Sequence, residues 1–415
     1  MQSTIAQTNP LIVDSRITTA SPAVFLASLT GFFFSFRVFI VLLSVRLFGM
    51  EAQTGVAIGL LLNFLLLGVV AFESAGPRHQ ALGPLLRRPN MRWVLLFFAF
   101  TGCSLAWSST ASLPAATAFW LAMAADTVMV LLLLRSAPAH AVAASLAKGF
   151  LWGALSIAFI AWIMPSQSDL RLGDEELLGP NQIGWVCGFG FFLAQYLLRR
   201  KEGKWSIAAA ILAITLLRSL SKTTIIAFLV SEGFLLLRDG SISRKKKTLL
   251  ALAGLGTVGL FWGLLQSYYD VYLSAGNQAE TLTGRLGIWT YILAEALEKP
   301  WLGHGFHSVW KVIPPFGDFE ARHAHNELLQ QFYAYGAAGI CMMAGLYGSF
   351  YRQLKKLPHS PLKTFLLSML LFVLIRGLTD TEPFDLSLPM WIITLFSALV
   401  LEAMQDQPAT SPLQQ

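Results

Sequence analysis

The sequence predicts an all-α, polytopic membrane protein of about twelve transmembrane helices, with one large extracytoplasmic loop between the ninth and the tenth. Three observations carry that class. Of the 415 residues, 55% are hydrophobic and only 13% charged, at a mean hydropathy of +0.59, which no soluble domain of this size matches. The apolar residues fall in runs of roughly 18 to 25, the length that crosses a hydrocarbon core of about 30 Å as helix. Lys and Arg crowd into one set of alternate loops, 18 against 8 in the other.

Taken in order, the runs place spans at 24–48, 55–73, 93–107, 113–134, 141–164, 182–198, 205–218, 223–237, 248–268, 326–351, 364–379 and 386–403. The cationic bias puts both termini in the cytoplasm. Residues 1–23 are then a disordered cytoplasmic N-terminus, 24–268 carry spans one to nine, and 269–325 form the extracytoplasmic loop with an amphipathic helix. Residues 326–403 carry spans ten to twelve, and 404–415 are a disordered cytoplasmic C-terminus. Trp93, Trp107 and Trp205 lie near span ends, where amphipathic rings favour the interface. Arg16 is the single cation before the first span, and no small-residue cleavage site follows it, so no removable signal peptide is expected.

Composition also excludes several roles. The net charge of +7 does not point to nucleic acid, because the run Arg244 to Lys247 reads as a topology signal beside a span. Cys103, Cys187 and Cys341 all fall within spans and offer neither a disulfide framework nor a metal spacing. Absence of an internal repeat argues against an inverted-repeat transporter. Asp169, Asp174, Glu175 and Glu176 make 166–180 an acidic, solvated outer loop.

Chemistry concentrates between Thr281 and Gly339, which holds His304, His307, His323 and His325 of the seven histidines. In HAHNELLQQFYAYGAAGI a polar loop runs straight into an apolar helix. At 100° per residue Gly336 and Gly339 fall on the face of His325, where small residues let another helix approach and fix the imidazole for proton abstraction. Asn326 is placed to cap that helix or orient the ring. Arg285 opens an amphipathic helix whose Leu286, Trp289, Ile292, Leu293, Ala296 and Leu297 form one stripe, suited to lying in the membrane surface. Arg218 and Lys222, with Ser219, Ser221, Thr223 and Thr224, make a phosphate cradle between apolar helices. Arg37, near mid-membrane, either serves a site or pairs with a carboxylate such as Glu73 or Glu232. Arg376, Thr379, Asp380, Glu382 and Asp385 form a loop polar enough to touch a sugar. His304-x-x-His307 and His323-x-His325 lack the spacing of a zinc motif, so no metal and no cofactor is expected.

These residues resemble those of the bacterial O-antigen ligase and polysaccharide polymerase family. His325-Asn326, nine residues, Gly336, two residues, Gly339 is similar to the family's ligase motif. Gly284, Arg285, Trp289, Pro300, Gly303 and Gly305 are similar to its Gly-Arg-x3-Trp and Pro-x-x-Gly-x-Gly pattern. SLSKTT, and the pair Asn181 and Gly184, resemble elements of exopolysaccharide-polymerase members. Where ligases carry Arg-x3-Leu, this chain has Arg218 followed by Lys222, and that wording leans toward polymerases. The resemblance implies metal-independent, inverting glycosyl transfer from an undecaprenyl-diphosphate-linked glycan to an acceptor sugar or lipid A core, at the periplasmic side of the inner membrane. For such a reaction His325 is expected to take the acceptor proton and Arg218 and Arg285 to meet the leaving diphosphate as catalytic residues, with Lys222, Asn326, Ser221, Arg37, His304 and Arg376 binding substrate. Partners would be the lipid bilayer and, for polymerases, chain-length regulator and export proteins, with no nucleic acid.

Overall fold

The computed structural model describes residues 21–76, 80–165, 167, 170–174, 177–240, 242–264, 266–267, 270, 282–309, 323–381 and 387–405. The described residues are helical, with no strand beyond an isolated bridge between Asp174 and Leu178. In chain order the helices are α1 (Pro22–Arg46), α2 (Ala52–Glu73), the one-turn α3 (Gly83–Leu86), α4 (Pro89–Ser104), α5 (Leu113–Ser136), α6 (Ala139–Ile163) and α7 (Pro180–Arg199). They continue as α8 (Trp205–Arg218), α9 (Lys222–Arg238), α10 (Arg244–Leu260), α11 (Leu282–Glu298), α12 (Glu327–Lys356), α13 (Pro361–Gly377) and α14 (Ser387–Gln405). Their starts follow local chemistry. Proline occupies the first turn of α1, α4, α5, α7 and α13, and Ser112, Ser243, Asn326 and Ser360 accept a backbone N–H as N-caps.

Each apolar run coincides with a helix to within a few residues; in the ninth, α10 ends at Leu260 and residues 262–264 and 266–267 are helical again beyond it. Four helices, α1, α2, α5 and α6, are long and apolar enough to cross a bilayer by length and composition. Trp205 is turned into the protein, 6% exposed, with its ring 6.0 Å from Trp152.

The tightest seam joins α1 to α6. A Cβ at Gly31 would lie 2.0 Å from the Leu146 carbonyl oxygen, and one at Gly149 1.7 Å from that of Ser28, so only glycine lets these backbones meet. Such close approach is how helices associate when lipid supplies no hydrophobic drive. Beside the seam, Arg37 of α1 binds Asp126 of α5 at 2.6 Å, and Asn63 of α2 donates to the other carboxylate oxygen at 3.1 Å. The expectation of Glu73 or Glu232 as its partner is corrected: Glu232 accepts from Gln195 at 2.7 Å. The short α1–α2 connection and the packing of α2 and α5 on α1 bring Asn63 and Asp126 to the level of Arg37.

Helix α12 is broken at Gly336, whose φ of 61° and ψ of −156° are not helical. Backbone groups freed there are taken up by the 300–305 turn. Ala337 N–H donates to Pro300 at 2.7 Å, while His304 and Gly305 N–H donate to Tyr333 at 3.0 Å and Ala334 at 2.7 Å. Gly336 therefore does not act as a small residue beneath His325. It provides a backbone conformation that L side chains rarely adopt, against a strand of chain that a Cβ would strike at 2.5 Å.

Candidate active site

Five helix ends meet at one end of the bundle: the C-termini of α8 and α13 and the N-termini of α9, α11 and α12. Arg285, in the first turn of α11, donates to the Thr379 carbonyl at 2.8 Å and reaches the Thr223 hydroxyl of α9 at 3.4 Å. Gly377, ending α13, is close enough to α12 that its Cβ would meet that of Glu327 at 3.3 Å. Asn326 closes the junction, since its Oδ1 accepts from Leu329 N–H at 3.1 Å and its Nδ2 donates to Leu378 at 2.9 Å. The capping expectation holds, and both ends of that amide serve the fold.

His325 stands in this junction. Its backbone is left-handed, φ 48°, and its Nδ1 lies 3.7 Å from Oδ1 of Asp380. That separation is longer than a hydrogen bond and becomes an ion pair only when the imidazole carries a second proton. Asp380 is itself fixed: Oδ2 accepts from Arg376 at 2.9 Å and Oδ1 from Thr381 N–H at 3.0 Å. Burial alone would raise the Asp380 pKa, but the Arg376 guanidinium and the neighbouring imidazoles outweigh it and hold the carboxyl well below the usual range. Arg376, 2% exposed and also bonded to the Thr381 carbonyl, underpins Asp380 from inside. Glu382 and Asp385 lie outside the described residues.

The remaining expected residues divide. Lys222 and Thr223 begin α9 beside Arg285. Arg218 donates to the Leu170 carbonyl at 2.8 Å and so ties the acidic loop to this end of the bundle, linked to Arg285 through the 219–223 turn. Asp174 of that loop is held by Arg46 at 2.7 Å. Ser221 is turned inward, 1% exposed, with its hydroxyl 2.8 Å from Asn181 Oδ1 and 2.9 Å from the Thr224 hydroxyl. A Cβ on Gly184 would meet Ser221 Cβ at 2.8 Å, so Asn181 and Gly184 serve to seat this turn on α7. The His304 ring stacks on Tyr333 at 4.3 Å, and His307 stacks on Phe119 at 4.9 Å. Helix α11 buries Ile288, Ile292 and Ala296 against Tyr333 and Val309, and leaves Leu286, Leu293 and Leu297 outward. The single stripe expected from sequence is thus two faces, one for protein and one turned away from it.

Donor atoms of His323, His325 and Asp380 lie within 4.8 Å of one another, a spacing that a cation could bridge. Arg376 on Asp380 and Arg285 beside it place two positive charges there. That surplus opposes a divalent cation and suits an anion.

A helical membrane protein with an imidazole, its carboxylate and several cations gathered at one end of the bundle is the class that these features define. The profile of the family described as O-antigen ligase matches residues 207–344, which take in Arg218, Lys222, Arg285, His325, Gly336 and Gly339. The "Exopolysaccharide production protein ExoQ" of Rhizobium meliloti is 24% identical over 296 residues, 64% of this chain and 66% of that protein. An "O-antigen ligase" of Pseudomonas aeruginosa is 28% identical over 178 residues, 43% of this chain and 41% of that one. The matched stretches span under two thirds of each relative. Over these stretches the chain is similar to the O-antigen ligase-like family.

Proposed function

We propose that the protein is a metal-independent, inverting glycosyltransferase of the bacterial inner membrane, with about twelve spans, both termini cytoplasmic and the site periplasmic. The donor is an undecaprenyl-diphosphate-linked glycan. The observation that supports this most is the meeting of His325, Asp380 and Arg285 where α9, α11 and α12 begin, since helix N-termini and a guanidinium together favour a diphosphate. In the step itself, the acceptor hydroxyl oxygen bonds to the anomeric carbon as that carbon's bond to the diphosphate breaks. The bond's electrons leave on undecaprenyl diphosphate, and the hydroxyl proton passes to His325. Asp380 faces Nδ1, so Nε2 is the nitrogen that takes the proton, and the carboxylate stabilises the imidazolium formed. Arg285 and Arg218, with Lys222, meet the charge that grows on the leaving oxygens.

The exopolysaccharide production relative and the SKTT wording favour a polymerase, whose acceptor is a second lipid-linked repeat. The Pseudomonas relative favours a ligase, whose acceptor is lipid A core. Purified protein given undecaprenyl-diphosphate repeat units alone lengthens them if it is a polymerase, and stays inert until lipid A core is added if it is a ligase. His325→Ala should abolish transfer, and strong chelator should leave it intact. Near-normal polymer from His325→Ala overturns the base, and loss of activity in chelator overturns metal independence.

A further inference from the structure

The segment around His325 is held residue by residue. Ala324, fully buried, donates its N–H to Gln330 Oε1 at 2.9 Å, and its carbonyl accepts from Trp289 Nε1 at 3.0 Å. Asn326 is fixed by Leu329 and Leu378, as described above. Between them, the His325 N–H points back to Nδ1 of His323 at 3.3 Å, and the two rings lie 4.1 Å apart, tilted by 56°. We propose that His323 is a positioning residue, which accepts the His325 N–H and so keeps residue 325 in the left-handed backbone from which its ring reaches Asp380.

Three features support this. A left-handed φ is unfavourable for histidine, so the conformation needs a local partner, and an acceptor two residues back closes a compact ring around it. The bond also fixes the His323 tautomer: with Nδ1 accepting, the proton sits on Nε2. Finally, His323 is pushed down to about 3 by burial and by the charges of His325, Arg376 and Arg285, against Asp380, so Nδ1 keeps its lone pair at neutral pH. A neutral neighbour also adds no repulsion when His325 takes a proton. His323 thereby differs from His304 and His307, which stack on aromatic rings.

The inference rests on His325 being the base, and its test separates the two ideas. His323→Asn keeps an acceptor near the Nδ1 position, and His323→Ala removes it. In full-length protein in lipid nanodiscs, hydrogen exchange of the His325 amide should quicken in His323→Ala and return to the wild-type rate in His323→Asn. With an undecaprenyl-diphosphate-linked repeat unit as donor, His323→Ala should lower kcat by at least about tenfold while KM stays within about twofold, because misplacement of a base weakens the reacting geometry more than binding. His323→Asn should recover kcat to within about threefold, on the same reasoning. Unchanged exchange in His323→Ala, unchanged kcat, or His323→Asn as impaired as His323→Ala each overturns the proposal. Activity retained in His325→Ala instead overturns the assignment of the base, and leaves the exchange result standing.

Discussion

Nδ1 of His325 faces Oδ1 of Asp380 at 3.7 Å, and the carboxylate's other oxygen is held by Arg376. If the carboxylate orients the imidazole and stabilises its cation, Asp380→Asn keeps the shape and removes the charge. It should lower kcat by about 10²-fold or more, with a smaller effect on KM for the donor. Steady-state transfer by the purified variant checks this, and an unaltered kcat rejects Asp380 as the orienting group.

Gly336 carries a second, independent prediction. Its φ of 61° and ψ of −156° lie in a region essentially reserved for glycine, and a Cβ would meet the Trp301 carbonyl carbon at 2.5 Å. Gly336→Ala should therefore cost at least about 1–3 kcal/mol of stability. Gly68 of α2, whose Cβ would meet nothing within 4 Å, is the matched control and should tolerate alanine. Thermal unfolding in detergent compares them, and equal melting temperatures contradict the account.

These two sites show what could be read from sequence and what could not. Helix positions were legible because apolar run length is a local property, and Arg285 and His325 were legible as candidates because each stands where a polar loop enters an apolar helix. The role of Gly336 was not, since a helical wheel presumes the helix continues through it. Asp380 was visible as part of a polar loop, and its spacing of four from Arg376 was the available signal for the pair. Its approach to His325 depends on α12 and α13 meeting end to start, which no local pattern encodes. The partners of His304 and Arg376 were not legible for a related reason: each faces a distant or turned-back part of the chain, and burial is a property of the assembled bundle.

Arg37 and Asp126 give a prediction about the scaffold. Asp126 is fully buried and bonded to both Arg37 and Asn63, so removing one charge strands the other in a low-dielectric interior. Arg37→Met or Asp126→Leu alone should cost about 3–5 kcal/mol, and the double variant should recover much of that. Folded yield and melting temperature in detergent report the cycle. Strict additivity of the two single losses would mean that the pair is not coupled.

The last prediction concerns acid. Folded His323 stays neutral down to about 3, whereas an unfolded histidine takes a proton near 6.5. Between those values the unfolded chain binds the extra proton, so this group makes the folded state less stable as pH falls, by up to about 1.4 kcal/mol per pH unit. Asp380 acts in a different window. Its folded pKa is depressed, so its contribution is present above the ordinary carboxylate value near 3.9 and is lost only below it. From pH 6.5 to 4.5 the effect of His323 should thus appear alone of the two. Thermal unfolding of wild type and His323→Asn, measured in detergent across that range, should show the variant gaining on wild type steadily as the pH drops. A stability difference that stays constant over the range would mean that folded His323 accepts a proton as readily as an unfolded one.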